Sequence, residues 1–150
     1  MFEKERPSLV VHLAARAGVR ASIADPLVYA HSNVIGTTNI FELSNRYGVR
    51  SIAMASSSSV YGDRPAASQK SWKEERGLEA EAEEDKDTKE DEEEEEELPG
   101  AFKETDPVTK PASPYAATKR ATELLAYTYN KLYDLPIACL RFFTVYGPGG

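Results

Sequence analysis

The run from Ser113 to Lys119, which reads SPYAATK, contains residue types that can move a proton. Ser113 followed by Pro114 predicts a helix start, because a hydroxyl caps free N–H groups and proline suits the first helical position. Tyr115 and Lys119 would then lie one turn apart on the same helix face. A phenol titrates at about pH 10, and a nearby ammonium and a helix N-terminus both favour its ionised form. The pattern therefore predicts a general acid/base, and a surface tyrosine beside a solvated lysine is the alternative.

A cluster of four serines, Ser56 to Ser59, directly follows the apolar run from Val49 to Ala55. That run predicts a buried strand, and its end would place hydroxyls at the carboxyl edge of a sheet, where open α/β sheets bind ligands. A simple polar turn is the alternative.

Strand and helix patterns alternate along the chain. The predicted elements are a buried strand over residues 9–15, a polar loop over 16–24, a helix from the Asp25-Pro26 cap to about Tyr47, a strand over 49–55, a helix over 114–133 and a strand over 137–143. The last helix carries a predicted apolar stripe of Ala121, Leu124, Leu125, Thr128 and Leu132. This order predicts an α/β fold with a parallel sheet.

Composition limits the classes of function. The chain has 150 residues, enough for one domain, and its net charge of −7 comes from an acidic run near residues 73–97. Residues at about 64–100 are expected to form a disordered insertion in that domain, because they offer little apolar surface to bury. No basic patch argues for nucleic acid. The single Cys139 allows no internal disulfide and is expected to be a buried thiol, and no metal-ligand cluster or membrane span is apparent.

Five motifs in this order resemble the extended short-chain dehydrogenase/reductase family, and in particular its NAD-dependent nucleotide-sugar epimerases. They are HLAA at 12–15, Asn33 with GT at 36–37, the serine run through Gly62, Tyr115 with Lys119, and RFFTVYGP at 141–148. AGVR at 17–20 and FFTVYG at 142–147 are most similar to UDP-glucuronate 4-epimerases. The resemblance covers nearly all of residues 9–150 except the acidic insertion.

The resemblance implies roles for individual residues. Tyr115 would be the catalytic acid/base, Lys119 would lower its pKa and bind the nicotinamide ribose, and Ser57 would bind the sugar 4-hydroxyl. The implied cofactor-binding residues are Leu13, Ala14, Ala15, Arg16, Ser32, Tyr115, Lys119 and Phe143. The implied substrate-binding residues are Ser57, Ser58, Ser59, Tyr115 and Thr144, with no metal site.

The implied reaction is NAD-dependent epimerisation at C4 of a UDP-sugar through a transient 4-keto form, with UDP-glucuronate and UDP-galacturonate as the interconverted pair. UDP-glucose 4-epimerase and nucleotide-sugar dehydratase activities are alternatives within enzymes. A catalytically dead, epimerase-derived interaction protein, with the acidic run as a partner-binding segment, is an alternative of another class.

Two parts of the family pattern have no counterpart in this sequence. They are the glycine-rich first βαβ unit, which receives the pyrophosphate, and the carboxyl-terminal substrate region. The expectation is a partial Rossmann-like, doubly wound parallel sheet that has no turnover as an isolated chain. The resemblance also implies a homodimer through helices at about 26–47 and 114–133, and it leaves the cytosol and the Golgi membrane open as locations.

Overall fold

The computed structural model describes residues 1–63 and 101–148. The elements, in chain order, are α1 (Phe2–Glu5), β1 (Leu9–His12), α2 (Val19–Ala24), α3 (Pro26–Tyr29), a π-helical turn (Ala30–Ile35), α4 (Gly36–Arg46), β2 (Ser51–Ala55), a 3-10 turn (Ser58–Tyr61), α5 (Pro114–Tyr133) and β3 (Ile137–Leu140). The predicted acidic insertion at 64–100 lies outside the described residues. None of the helices that are described has the length and apolar character that a membrane crossing requires.

Contacts divide the chain into two units. The first comprises Met1–Gly62 and Pro107–Gly150, and it holds every helix and strand described above. The second comprises Asp63–Asp106. Its described part contains a turn in which the Lys103 backbone N–H donates to a carboxylate oxygen of Asp106 at 3.0 Å.

The three strands form one parallel sheet in the order β1-β2-β3, which confirms the predicted α/β class. Alternate residues of each strand face α4 and α5, where Phe41, Ile52, Met54, Ala126 and Tyr129 form the centre of the core. The other sheet face carries Leu9, Val11 and Leu140, which are exposed. Within the described residues, helices therefore cover one face of the sheet, which is half of a doubly wound arrangement.

Local capping chemistry sets the starts of the two long helical segments. The Asp25 carboxylate accepts from the Val28 N–H at 3.4 Å, and the Ser113 hydroxyl accepts from the Ala116 N–H at 3.1 Å. Both caps precede a proline at the first helical position, as predicted. The segment predicted as one helix over 26–47 is helical from Pro26 to Arg46, with a π-helical turn in its middle.

Three sequence expectations were wrong in detail. The strands predicted over 9–15 and 137–143 end at His12 and Leu140. After β3 the Phe142 N–H turns back to the Leu140 carbonyl at 3.1 Å, which interrupts the regular ladder, although the Phe142 carbonyl still accepts from the Ser58 N–H. Residues 19–24, predicted as loop, form helix α2. The predicted apolar stripe of α5 is its inner face only in part: Leu125 packs against the core, but Leu124, Thr128 and Leu132 are exposed, and Thr118, Lys119, Thr122 and Glu123 are buried.

Candidate active site

The carboxyl edge of the sheet brings together three segments that are distant in sequence. Residues 13–16 follow β1, residues 56–59 follow β2, and residues 141–144 follow β3. The strands are parallel and in register, with His12 opposite Met54 and Ala55 opposite Leu140, so all three segments leave the sheet on the same side. This is the edge at which parallel α/β sheets bind ligands.

The serine segment is fixed to the sheet edge by its backbone. Ser56 and Ser58 donate backbone N–H bonds to the carbonyls of Leu140 and Phe142, at 2.8 and 2.9 Å. The Ser57 hydroxyl caps the following 3-10 turn: it accepts from the Ser59 N–H at 3.2 Å and donates to the Ser59 hydroxyl at 3.1 Å. Ser57 is buried, and Ser58 and Ser59 are half-buried. The predicted substrate-binding serines therefore form an ordered turn.

Lys119 reaches this serine segment from helix α5. Its side chain is buried, and its Nζ donates to the carbonyl oxygen of Ala55 at 2.7 Å, two residues before Ser57. Burial lowers the pKa of the Lys119 ammonium, because a low-dielectric environment disfavours the charged form. The structure thus places two of the three predicted catalytic residues, Ser57 and Lys119, at the same end of β2. The expected effect of Lys119 on the Tyr115 phenol stays a prediction.

Tyr115 stands in the first turn of α5, one turn before Lys119. Its backbone N–H donates to the Ser22 hydroxyl at 3.0 Å, and that hydroxyl donates to the Val19 carbonyl at 2.6 Å. The half-buried Tyr115 ring meets the Tyr29 ring edge-on, with 6.3 Å between centroids and an angle of 81°. Helix α2, which the sequence pattern did not indicate, therefore contributes to the position of the candidate acid/base.

Asn33 joins the segment after β1 to helix α5. Its side-chain Oδ1 accepts from the Arg16 N–H at 2.8 Å, and its Nδ2 donates to the Arg16 carbonyl at 3.0 Å. The same Nδ2 donates to the Thr118 hydroxyl at 3.0 Å, beside Lys119. Asn33 is 1% exposed and lies in the π-helical turn, a form of helix that is frequent at functional sites.

His12 is the last residue of β1 and directly precedes the site segment 13–16. Its Nε2 is 2.9 Å from the Thr37 hydroxyl, so it is a hydrogen-bonded, half-buried histidine. Burial lowers the pKa of His12, and the positive charge of Lys119 lowers it further. The neutral imidazole is thus favoured beside the buried amine.

The predicted cofactor wall is accessible at the same edge. Leu13, Ala14, Ala15, Arg16, Phe143 and Thr144 are exposed, and Ser32 is half-buried in the π-helical turn. The Phe143 ring stacks on the Tyr61 ring, with centroids 6.4 Å apart and planes at 24°. Small exposed side chains at 14 and 15 let a flat ligand approach the backbone closely, so these residues fit the flat nicotinamide part of a dinucleotide.

Three residues of this arrangement were not among the predicted site residues: Ser22, Asn33 and Glu123. Glu123 lies one turn beyond Lys119 on α5 and is buried. Its spacing from Tyr115 and Lys119 places all three on one helix face, which is a signal that the sequence does contain. Ser22 acts through contacts with distant backbone, for which local sequence has no pattern. Asn33 belongs to one of the five motifs, but its contacts with Arg16 and Thr118 join segments that are distant in sequence.

Comparison with known proteins places this geometry in a family. A family model described as the NAD dependent epimerase/dehydratase family matches residues 1–85 and 87–150. The chain is 42% identical over 151 residues to a UDP-glucuronate 4-epimerase of Thermodesulfobacterium geofontis, covering all of this chain and 36% of that protein. It is 40% identical over 142 residues to UDP-glucuronate 4-epimerase 1 of Arabidopsis thaliana, covering 94% of this chain and 25% of that one.

Solved structures show the same fold. A UDP-glucose 4-epimerase from Thermus thermophilus, in complex with NAD, matches with a TM-score of 0.70 and 31% identity over 97% of this chain and 37% of that one. A UDP-glucuronic acid 4-epimerase from Bacillus cereus, in complex with UDP-glucuronic acid and NAD, matches with a TM-score of 0.67 and 30% identity over 93% and 34%. The chain spans about a third of the length of the first curated relatives it matches. The chain belongs to the NAD dependent epimerase/dehydratase family.

Proposed function

We propose that the protein carrying these residues is an NAD-dependent nucleotide-sugar 4-epimerase, with UDP-glucuronate as its substrate. One observation carries the proposal: the buried Lys119 amine, on the helix that carries Tyr115, is bonded to the Ala55 carbonyl at the base of the Ser57 turn. The similarity to UDP-glucuronate 4-epimerases at 42% and 40% identity supports this choice of sugar.

The chemistry assigned to the chain's own residues is proton transfer and positioning. NAD+ would supply a hydride acceptor when bound, and Leu13, Ala14 and Phe143 would lie along it. Tyr115 would accept the proton of the sugar 4-hydroxyl as the C4 hydrogen leaves as hydride, which would yield a 4-keto sugar. The 4-keto sugar would then turn over in the site, so that hydride would return to its opposite face and the proton from Tyr115 to its 4-oxygen, which would complete the inversion with no net oxidation. Ser57 would hold the 4-oxygen, and Ser58, Ser59 and Thr144 would hold the sugar.

Turnover of UDP-glucuronate tests this proposal. Transcript sequencing across both ends of residues 1–150 first defines the polypeptide that is translated, which is called the natural polypeptide below and is the one assayed. It is then incubated with NAD+ and UDP-glucuronate or UDP-glucose, and the products are separated by anion-exchange chromatography. Tyr115→Phe should lower kcat by about a hundredfold or more, because general acid/base groups contribute about 10²–10⁴. Tyr127→Phe, at an exposed position of the same helix, is the matched control.

The same assay separates the alternatives. Faster conversion of UDP-glucose than of UDP-glucuronate would replace the proposed substrate, and loss of water from the sugar would indicate a dehydratase. Undiminished turnover in the Tyr115→Phe variant would refute the assigned acid/base. Absence of turnover and of NAD binding in the natural polypeptide would favour an epimerase-derived interaction protein.

We also propose that the protein forms a homodimer through the helical segments 26–47 and 114–133. These segments expose large apolar side chains, namely Leu27, Ile35, Leu124, Tyr127 and Leu132. Exposed apolar surface of this kind favours association with a partner. Analytical ultracentrifugation of the natural polypeptide should give a dimer, and Leu124→Glu with Leu132→Glu should give a folded monomer. A monomeric parent protein at micromolar concentration would contradict the proposal.

A further inference from the structure

Glu123 is a buried carboxylate to which the proposed reaction assigns no role. Each of its oxygens accepts from two donors. Oε1 accepts from the Ser56 hydroxyl at 2.6 Å and from Arg141 Nε at 2.9 Å. Oε2 accepts from Arg141 Nη2 at 3.1 Å and from Arg120 Nη1 at 2.9 Å. The Glu123 side chain is 5% exposed, so these partners replace water around the charge.

The partners of Glu123 belong to different segments of the site. Ser56 directly precedes Ser57 and is held to β3 by its backbone bond to the Leu140 carbonyl. Arg141 follows β3, and its guanidinium lies 4.9 Å from the centre of the Tyr61 ring, which closes the serine turn. That ring stacks on Phe143, the residue predicted beside the nicotinamide. One carboxylate on α5 is thus connected to both loops that would hold sugar and cofactor.

We infer that Glu123 is a positioning residue that fixes the Ser57 turn and the Phe143 segment relative to Tyr115 and Lys119 on helix α5. This inference rests on the proposed function for its consequence in catalysis, although its structural part does not. The bidentate contact with Arg141 fixes orientation as well as distance, since a planar guanidinium meets both carboxylate oxygens in one plane. A displacement of about 1 Å at such a site is enough to slow a reaction strongly.

The ionised state of Glu123 is part of this arrangement. Burial raises the pKa of Glu123, but hydrogen bonds from Arg141, Ser56 and Arg120 outweigh burial, and the pKa lies below its ordinary value. An amide in its place would accept through one oxygen only and would point N–H groups at a guanidinium. Glu123→Gln should therefore release Arg141 or Ser56 while changing the side-chain volume little.

A general contribution to stability is the competing explanation, and amide hydrogen exchange separates the two. In Glu123→Gln, exchange of the Ser56 and Ser58 amides should accelerate by about tenfold or more, while the Ile52 amide, bonded to Pro136 in the same sheet, should change by less than about threefold. Glu42→Gln is the matched control, because Glu42 accepts from the Tyr129 hydroxyl elsewhere on α5. In Glu42→Gln, hydrogen exchange of the Ser56 and Ser58 amides should accelerate no more than exchange of the Ile52 amide.

Equal acceleration at Ser56, Ser58 and Ile52 in Glu123→Gln would overturn the inference, because it would report only global opening. Should that variant fail to fold, Ser56→Ala removes one of the bonds to Glu123 and should give the same local pattern in weaker form. An unchanged pattern in Ser56→Ala, or one equal at all these amides, would overturn it as well.

Kinetics of the natural polypeptide then test the catalytic consequence. Glu123→Gln should lower kcat by about tenfold or more and raise KM for the UDP-sugar by a smaller factor, since the side chains that would bind the sugar are unchanged while their alignment is lost. An unchanged kcat despite faster Ser56 exchange would overturn the positioning role. If the parent protein has no turnover, the proposed function fails, and the exchange measurement still decides what Glu123 holds in place.

Discussion

Replacement of Asn33 should destabilise the fold by an amount that its contacts predict. Asn33→Ala removes the two hydrogen bonds with the Arg16 backbone and the bond to the Thr118 hydroxyl. At about 1 kcal/mol each, these three bonds contribute about 3 kcal/mol. The higher helix propensity of alanine stabilises the variant by about 0.5 kcal/mol, so the expected net decrease in the free energy of unfolding is about 2.5 kcal/mol. Urea unfolding followed by far-UV circular dichroism should show the midpoint shift with an unchanged slope.

Asn33→Asp adds a test of the same reasoning by pH. The new carboxylate can still accept from the Arg16 N–H, but its second oxygen would face the Arg16 carbonyl, where the amide now donates. Burial without a second donor should raise the pKa of this carboxyl above its ordinary value in the folded chain. The stability of Asn33→Asp relative to the parent chain should therefore be greater at pH 5 than at pH 8. The exposed Asn39→Ala is the control, and an equal effect of Asn33→Ala and Asn39→Ala would refute this account.

Two further predictions concern a turn glycine and the free cysteine. Gly62→Ala should lower the free energy of unfolding by about 2 kcal/mol or more, because φ is +73° and a Cβ would lie 2.2 Å from the Lys110 carbonyl oxygen. Gly48→Ala, where φ is +70° but the space is open, should lower it by only about 1 kcal/mol. Equal losses in urea unfolding would contradict the clash. Burial and the charge of Glu123 raise the pKa of Cys139 from 9.0 to about 11, so at pH 8 iodoacetamide should alkylate the folded chain roughly a hundredfold more slowly than the unfolded chain. Equal rates of Cys139 alkylation in the folded and the unfolded chain would refute the buried environment of this thiol.

The helix boundaries could be predicted because local chemistry determines them. Asp25 and Ser113 each cap a helix whose next residue is proline, and both caps form as expected. Gly48 follows α4 with a positive φ of 70°, the conformation in which a helix commonly ends. None of these features depends on a residue far away in the chain. The two long helical segments were therefore predicted to within about one residue at each end.

Elements and contacts that depend on distant partners were not predictable in the same way. The six residues of helix α2 show too little apolar periodicity to predict a helix. Its Ser22 is buried against the start of α5, 93 residues later. Residues 13–15 and 141–143 resemble strand in sequence, yet the regular strands end at His12 and Leu140. Of the candidate site, the residue types at Ser57, Tyr115 and Lys119 were available from the sequence. The bond from Lys119 to Ala55 was not, because it joins residues 64 positions apart.

Helix α5 shows how the site and the fold depend on each other. By apolar spacing alone, Leu124 and Leu132 would face the core, but they are exposed while Lys119 and Glu123 are buried. A buried charge is costly unless it is paired, and in the observed orientation both groups have partners, at the Ala55 carbonyl and at Ser56 with Arg141. Ala126 and Tyr129 then supply the apolar contact with the sheet. The polar contacts of the site and the apolar contacts with the sheet thus favour the same face of α5, and this orientation leaves Leu124 and Leu132 exposed, where the proposed second copy of the chain would cover them.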